Sequence, residues 1–377
     1  MKIALVTFPF VPSHGSILQT YAIYTKLKEM GHDVTILNRI KPDPSLSILM
    51  RRTLFNLKNK IIGVYRGPVF YRGNSPKVIM KNLTPFIDSY FGEDVVTVFS
   101  KQEAHAFVMS HAFDAFIVGS DQVWRPKFVP DVFHYYLDFL PKTSTAKRIA
   151  FCPSFGTDEW EYSIEQTIKC KNLLSNFNAV AVREKGGVSL CANYLNRDVA
   201  HLFDPTILYP ASVYFDLFVK KQESEIDIAS IYYLDYNSGK TTIVDKVCER
   251  LNLKASYINN RIQDYNARIN ERIAPSLSAW MSGFFNSRFI ITDSFHATLF
   301  ALYFNKPFIT VINESRGTAR FHSLMEELSL QERLVSTTEA VTDELIDSHI
   351  DWTRINRVLE QQRAESIKFL TNSLQAQ

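Results

Sequence analysis

The chain has 377 residues, a formal net charge of +3 and a hydrophobic content of 46%. A single core rarely grows past about 250–300 residues, so two domains are expected, and the near-balanced charge excludes a general nucleic-acid binder. The four cysteines (Cys152, Cys170, Cys191, Cys248) have no metal-ligand spacing and read as reduced thiols of a cytoplasmic protein.

In chain order, the apolar N-terminus runs into Pro9, Pro12 and Gly15, too soon for a signal peptide, and predicts a strand at Ile3–Phe8. An amphipathic helix over Ile17–Met30, stopped by Gly31, and a strand at Asp33–Leu37 follow. Short apolar runs at Ala115–Val118, Arg148–Cys152, Ala179–Val182 and Val199–Leu202 predict further strands. Asp204-Pro205 to Pro210 and the charged stretch Lys220 to Asp227 mark a join. A second series then alternates strands at Ile228–Leu234, Ala255–Ile258, Phe289–Thr292 and Phe308–Ile312 with helices at Lys240–Leu251, Leu277–Phe285 and after His296. This is α/β patterning: two doubly wound, Rossmann-like domains, 1–210 and 211–377, facing across a cleft, the second with a C-terminal helical tail. Ligands of such sheets bind beyond the carboxyl ends of the strands. No uncharged apolar run of about 18–20 residues occurs, so no membrane-spanning helix is expected.

The first domain carries a basic insertion at about 44–87. Pro44 to Ile87 holds no acidic residue but eight basic ones: Arg51, Arg52, Lys58, Lys60, Arg66, Arg72, Lys77 and Lys81. Phe55, Tyr65, Phe70 and Tyr71 are interleaved, and Leu46, Met50, Leu54, Leu57 and Ile61 share one helical face. The pattern fits an anionic membrane surface or a polyanionic ligand, which would place the protein peripherally on the inner face of the cell membrane. It fits equally a helix that packs on its own domain with a solvated basic face.

The segment Thr292 to Phe300 reads as strand end, polar turn and helix start. Helix N-termini present unpaired N–H groups and attract anions. His296 in the first turn, beside Asp293 and Ser294, points to chemistry on a phosphorylated or carboxylated small molecule, or else to a capped helix with a surface histidine. Other polar clusters also follow strands: Pro12 to Ser16 with Gln19, Gly119 to Trp124, Pro153 to Gly156, and Val182 to Gly186. All would fall on the same edge of two sheets. Singly, Asp293 reads as a cap, Asp121 as an Asx turn, Arg183 as an ion-pairing residue, and Trp124 as core or as a platform for a sugar. His14 lies where it could reach the cleft; His105, His111, His134 and His322 read as structural.

Taken together, these segments resemble the polysaccharide pyruvyl transferase family. The resemblance runs through Gly15-Ser16-Ile17-Leu18-Gln19, Gly119 to Trp124, Ser154-Phe155-Gly156, Val182 to Lys185 and Asp204-Pro205-Thr206. It continues in Thr292 to Phe300, Lys306-Pro307-Phe308-Ile309 and Gly317-Thr318-Ala319-Arg320. It implies a GT-B-like architecture and transfer of pyruvate from phosphoenolpyruvate to a hexose of a bacterial surface-polysaccharide or lipid-diphosphate-linked precursor, with a cyclic ketal formed and phosphate released. Where characterised members often carry Arg-Leu-His, this chain has Ser294-Phe295-His296, so another cation must meet the donor, with Arg183 and Arg320 the candidates. In this reading His296, Asp121 and Asp293 are catalytic. Arg183, Arg320, Ser294 and His296 bind the donor, and His14, Gly15, Ser16, Gln122 and Trp124 bind the acceptor. Neither a metal nor a resident cofactor is called for. The alternatives are a GT-B glycosyltransferase using a nucleotide sugar, or a non-catalytic glycan- or lipid-carrier-binding protein.

Overall fold

Short strands of β-branched, small and aromatic residues, most of them buried on both faces, set the architecture. The computed structural model describes all residues except 43–44, 65–68, 70–74, 220–226, 236–237, 260, 263, 265–266 and 376–377. Pro44, Tyr65, Arg66, Phe70, Tyr71 and Arg72 of the basic insertion, and most of the charged join, lie outside the described residues.

The first sheet comprises β1 (Lys2–Val6), β2 (Asp33–Arg39), β3 (Val95–Val98), β4 (Ala115–Val118), β5 (Lys147–Phe151), β6 (Ala179–Val182) and β7 (Ala200–His201), in the order β3-β2-β1-β4-β5-β6-β7. The second comprises β8 (Ile228–Tyr232), β9 (Lys254–Tyr257), β10 (Phe289–Thr292), β11 (Phe308–Val311) and β12 (Leu334–Val335), in the order β12-β11-β10-β8-β9. All pairings between these strands are parallel. Each sheet reverses its winding once, at β1/β4 and at β8/β10, and a doubly wound sheet opens its ligand crevice at that reversal.

Two helices carry these crevices toward each other. Helix α1 (His14–Glu29) leaves β1; Ser13 caps it by accepting the Ser16 N–H, and Lys26 and Lys28 complement its C-terminal dipole. The helix Phe295–Tyr303 leaves β10 capped by Ser294, and each of its nine residues is buried. A helix apolar on all sides belongs between layers: Ile17 and Leu18 of α1, Trp280 and Phe300 share one core that spans both domains. The last helix, Trp352–Gln375, returns to the first domain, where Arg363 Nε donates to the Ile207 carbonyl at 2.9 Å and Phe369 stacks on Phe151 of β5.

The helix of the basic insertion, α2 (Leu46–Ile61), behaves differently. No residue in it is buried. The expectation that its aliphatic stripe packs on its own domain is not met. After α2 the chain rejoins the body at Ser75–Ile79, where the Ile79 carbonyl accepts the Ala274 N–H and Asn82 Nδ2 donates to the Ala274 carbonyl, both at 2.9 Å. No described helix is long and apolar enough to cross a membrane.

Candidate active site

The loops leaving β1, β4, β8 and β10 enclose a cavity of about 530 Å³ between the domains. A larger hollow of about 850 Å³, formed around Ile164, Ile168 and Leu173 of the first domain, lies away from these strand ends. Of the residues expected to act, His14, Gly15, Asp121, Gln122, Asp293, Ser294, His296 and Arg320 line the interdomain cavity.

His296 forms its centre. Nε2 lies 3.3 Å from Asp204 Oδ2. The Asp204 carboxylate accepts from Arg183 Nη1 at 2.7 Å, Thr206 N at 3.0 Å, Thr206 Oγ1 at 2.8 Å and Gln19 Nε2. Burial alone would raise its pKa; His296, Arg183 and the Thr206 amide overcome that and hold it far below the usual carboxylate range. An ionised, fully buried carboxylate thus fixes the imidazole from behind and leaves Nδ1 for a substrate. On the ring's other side, a Cβ at Gly15 would overlap His296 Cγ and Nδ1. Glycine at the start of α1 is what allows the imidazole to lie against that helix.

Phe295 lies against two guanidinium groups, with Arg183 and Arg320 each 5.1 Å from its ring centroid. Their roles diverge. The Arg183 side chain is 0% exposed and is held by Asp204 and, at 3.3 Å, by Asp121 Oδ1. It does not line the cavity, where the sequence reading had placed it against the donor. Arg320 does line it. One Nη donates to the Arg316 carbonyl at 3.0 Å, the other stands 3.8 Å from Asp121 Oδ1, and Nε is buried without a partner. Burial, and then repulsion from Arg183, push its pKa down to about 10. It is a buried cation whose compensation by neighbouring carboxylates is incomplete.

Asp121 has backbone φ 69°, in the left-handed region, and its Oδ1 accepts the Gln122 N–H at 2.9 Å, one residue on and not the two of the Asx turn expected from sequence. Burial opposes its ionisation, but Arg183, His296 and Arg320 keep it a carboxylate. Asp293 is saturated. Its oxygens accept from Leu234 N (2.6 Å), Asp235 N (3.2 Å), Lys240 Nζ (2.5 Å) and Asn313 Nδ2 (3.1 Å), which ties the β8 loop to β10 and leaves it poorly placed as a base.

His14 stacks on Trp280 at 5.1 Å and 9°, and its Nε2 lies 2.9 Å from the Pro275 carbonyl in the second domain. A carbonyl only accepts, so Nε2 carries the hydrogen and Nδ1 is a bare lone pair. That Nδ1 is buried with no partner, and burial lowers the histidine's pKa to about 4, so it is neutral near pH 7. The expected acceptor residues Ser16 and Trp124 do not reach the cavity. Ser16 N–H bonds Ser13 Oγ inside α1, and Trp124 is wholly buried, stacked on Tyr136 at 4.8 Å with Nε1 donating to the Tyr135 carbonyl.

The sequence reading missed Asp204 as a site residue, and with it the cavity residues Arg316, Lys127 and Tyr232. Arg316 pairs bidentately with Asp235 at 2.9 Å on both arms, and Lys127 pairs with Glu161 at 2.8 Å. The Arg316 to Arg320 spacing of one helical turn was the available signal. Gly317 between them has φ 89°, and a side chain there would run into the Gly156 carbonyl of the first domain. The two loops therefore touch backbone to side-chain-free backbone across the cleft. Among the described residues no three His, Cys, Asp or Glu side chains group as metal ligands.

Comparison with solved structures gives the same architecture. The chain is similar to Arabidopsis thaliana UGT89C1 complexed with UDP-L-rhamnose (TM-score 0.53, 10% identity, 99% of this chain and 98% of that one). It is also similar to the S. aureus MnaA-UDP co-structure (0.52, 11%, 96% and 90%) and to a putative UDP-N-acetylglucosamine 2-epimerase from Listeria monocytogenes (0.50, 12%, 96% and 90%). At such identities the likeness concerns the fold, which is GT-B. No curated protein matches the chain significantly. The sequence model of one family, polysaccharide pyruvyl transferase, matches residues 14–315, a span that holds α1, the Asp121 turn, Asp204 and the His296 helix. The chain belongs to the polysaccharide pyruvyl transferase family.

Proposed function

We propose that this protein moves the pyruvyl group of phosphoenolpyruvate onto two hydroxyls of a hexose in a bacterial surface-polysaccharide precursor. The observation that carries the reading is Arg320, an incompletely compensated buried cation in the cavity wall that also holds His296, with Asp204 behind the imidazole. Phosphoenolpyruvate brings a phosphate and a carboxylate. Arg320 supplies charge for one of them and its guanidinium fork matches either group, while Arg316 and Lys127 line the same cavity paired with Asp235 and Glu161. Arg320 takes the place of the arginine that the Ser294-Phe295-His296 turn lacks.

The reaction takes the two hydroxyl protons and delivers one to the methylene carbon and one to the departing phosphate. His296 Nδ1 gives a proton to the methylene carbon, and the adjoining carbon becomes oxocarbenium-like. Asp121, kept ionised, offsets that positive charge. The first sugar hydroxyl forms a C–O bond there as its proton passes to the bare Nδ1 of His14. The C–O bond to phosphate then breaks as the proton on His14 passes to the departing phosphate, and the second hydroxyl closes the ketal as its proton passes to His296 Nδ1, which restores both histidines. General acid and base groups held in this way contribute about 10²–10⁴-fold each. Asp293 shapes the loop and takes no proton.

The test is a thermal shift with phosphoenolpyruvate set against a panel of nucleotide sugars, on wild type and Arg320→Lys. Phosphoenolpyruvate should stabilise the wild type. The lysine variant should lose about 1.5–3 kcal/mol of binding, the range for a charged hydrogen bond. Stabilisation by nucleotide sugars alone would favour the glycosyltransferase reading. Binding of phosphoenolpyruvate with equal strength by both proteins would move the anion site away from Arg320.

A further inference from the structure

The helix α2 is folded with its apolar face outward. Its half-buried residues are Leu49, Thr53, Asn56 and Asn59, which share one face, mostly polar. The stripe Leu46, Met50, Leu54, Leu57 and Ile61 points to solvent, with exposures from 43% at Leu57 to 78% at Ile61. A 16-residue helix is about 24 Å long, so this is a continuous apolar ridge and not a scatter of single residues. At 100° per residue, Arg51 and Lys58 fall along one flank of the ridge and Lys60 along the other. No acidic residue occurs between Ser45 and Ile87 to neutralise them.

We propose that α2 docks the protein on an anionic lipid surface, lying in the plane of the interface with the leucine ridge in the acyl boundary and the flanking cations at the headgroups. A soluble polyanion would satisfy the cations and leave the ridge in water. A lipid surface satisfies both, and basic flanks around an apolar face are the arrangement that binds anionic bilayers. The place in the fold gives the docking a use. The chain enters α2 from the carboxyl end of β2, beside the β1 loop that lines the cavity. It returns at Ile79 and Asn82, which bond Ala274, the neighbour of the Pro275 carbonyl that holds His14. A lipid-linked substrate lying on the same surface would reach the cavity from the His14 side. The docking itself rests on α2 and not on the reaction proposed above.

The test is flotation of the full chain with vesicles of phosphatidylcholine alone or mixed with phosphatidylglycerol. It compares wild type, a charge variant (Arg51→Gln, Lys58→Gln, Lys60→Gln) and a ridge variant (Met50→Gln, Leu54→Gln, Ile61→Gln). Every changed residue is exposed, so thermal melting of both variants should match wild type and certify their folds. Wild type should float with the mixed vesicles, and binding should weaken as salt rises. Each variant should lose binding by about tenfold or more, since each basic residue near such a surface contributes severalfold. Equal flotation of all three proteins would overturn the proposal. So would failure of wild type to bind at low salt, including the case where the ridge variant abolishes self-association in sedimentation velocity, which would make a second copy the occupant.

Discussion

The side chain missing from Gly15 leaves the space that His296 fills. The imidazole is gripped between the backbone of α1 and the Asp204 carboxylate, so its position depends on two elements from the first domain although it belongs to the second. Gly15→Ala should therefore leave the fold intact and lower kcat by about 10²-fold, the scale on which an ångström of misplacement acts. Steady-state kinetics with a parallel melting curve measure this, and wild-type kcat in Gly15→Ala would show that the ring is free to move. Some of the site was legible at this scale. His296, Ser294, Asp121, His14 and Arg320 directly follow strands or open helices, and short-range pattern finds such positions. Asp204 was not, because its partners Gln19, Arg183 and His296 come from three other segments and meet only in the folded chain. Trp124 and Arg183 follow a strand end equally well, but a turn can aim a side chain into the cleft or back under the sheet, and both point back.

At the scale of elements, strands that are apolar throughout declared themselves. The β4, β6 and β10 boundaries agree with expectation, and so does the helix Leu277–Phe285, because buried parallel strands read as continuous runs between turn residues. Two strands gave no such signal. β3 and β12 are edge strands, β3 with a polar threonine on its open side and β12 only two residues long, and tertiary pairing alone defines them. The helix from Phe295 shows no polar face, and this marked it as a central element once a second domain was there to cover it. The amphipathic pattern of α2 was equally clear, but pattern gives the existence of an apolar face and not what lies against it. The structure turns that face outward, which shifts the balance from internal packing to docking.

At the scale of the whole molecule, buried histidines couple stability to pH. His14 and His134 are both buried, and desolvation lowers their pKa values to about 4 and about 3. Both titrate near 6.5 when unfolded. The unfolded chain therefore binds more protons than the folded one below about pH 6.5, so the stability these residues provide is present above that pH. It is lost as pH falls, through about 4 for His14 and about 3 for His134, with each histidine contributing a slope of up to about 1.4 kcal/mol per pH unit. Urea unfolding should give falling midpoints between pH 7 and pH 5. His134→Leu should show a shallower pH dependence whatever its absolute stability; an unchanged slope would mean that His134 is hydrated in the folded state. Asp204 acts in the same sense at lower pH. Its folded pKa is depressed, so its contribution is present above about 3.9 and fades only below it.

The central claim is pyruvyl transfer in the interdomain cavity, and its most direct measurement is phosphate release from phosphoenolpyruvate in the presence of candidate hexose acceptors, with the acceptor recovered and weighed by mass spectrometry. The account predicts acceptor-dependent phosphate release in step with an acceptor mass gain of one pyruvate less one water. It predicts that both signals fall by about 10²–10⁴-fold in a well-folded His296→Ala variant. Sugar transfer from a nucleotide donor with no phosphate released from phosphoenolpyruvate, or undiminished ketal formation by His296→Ala, would contradict it.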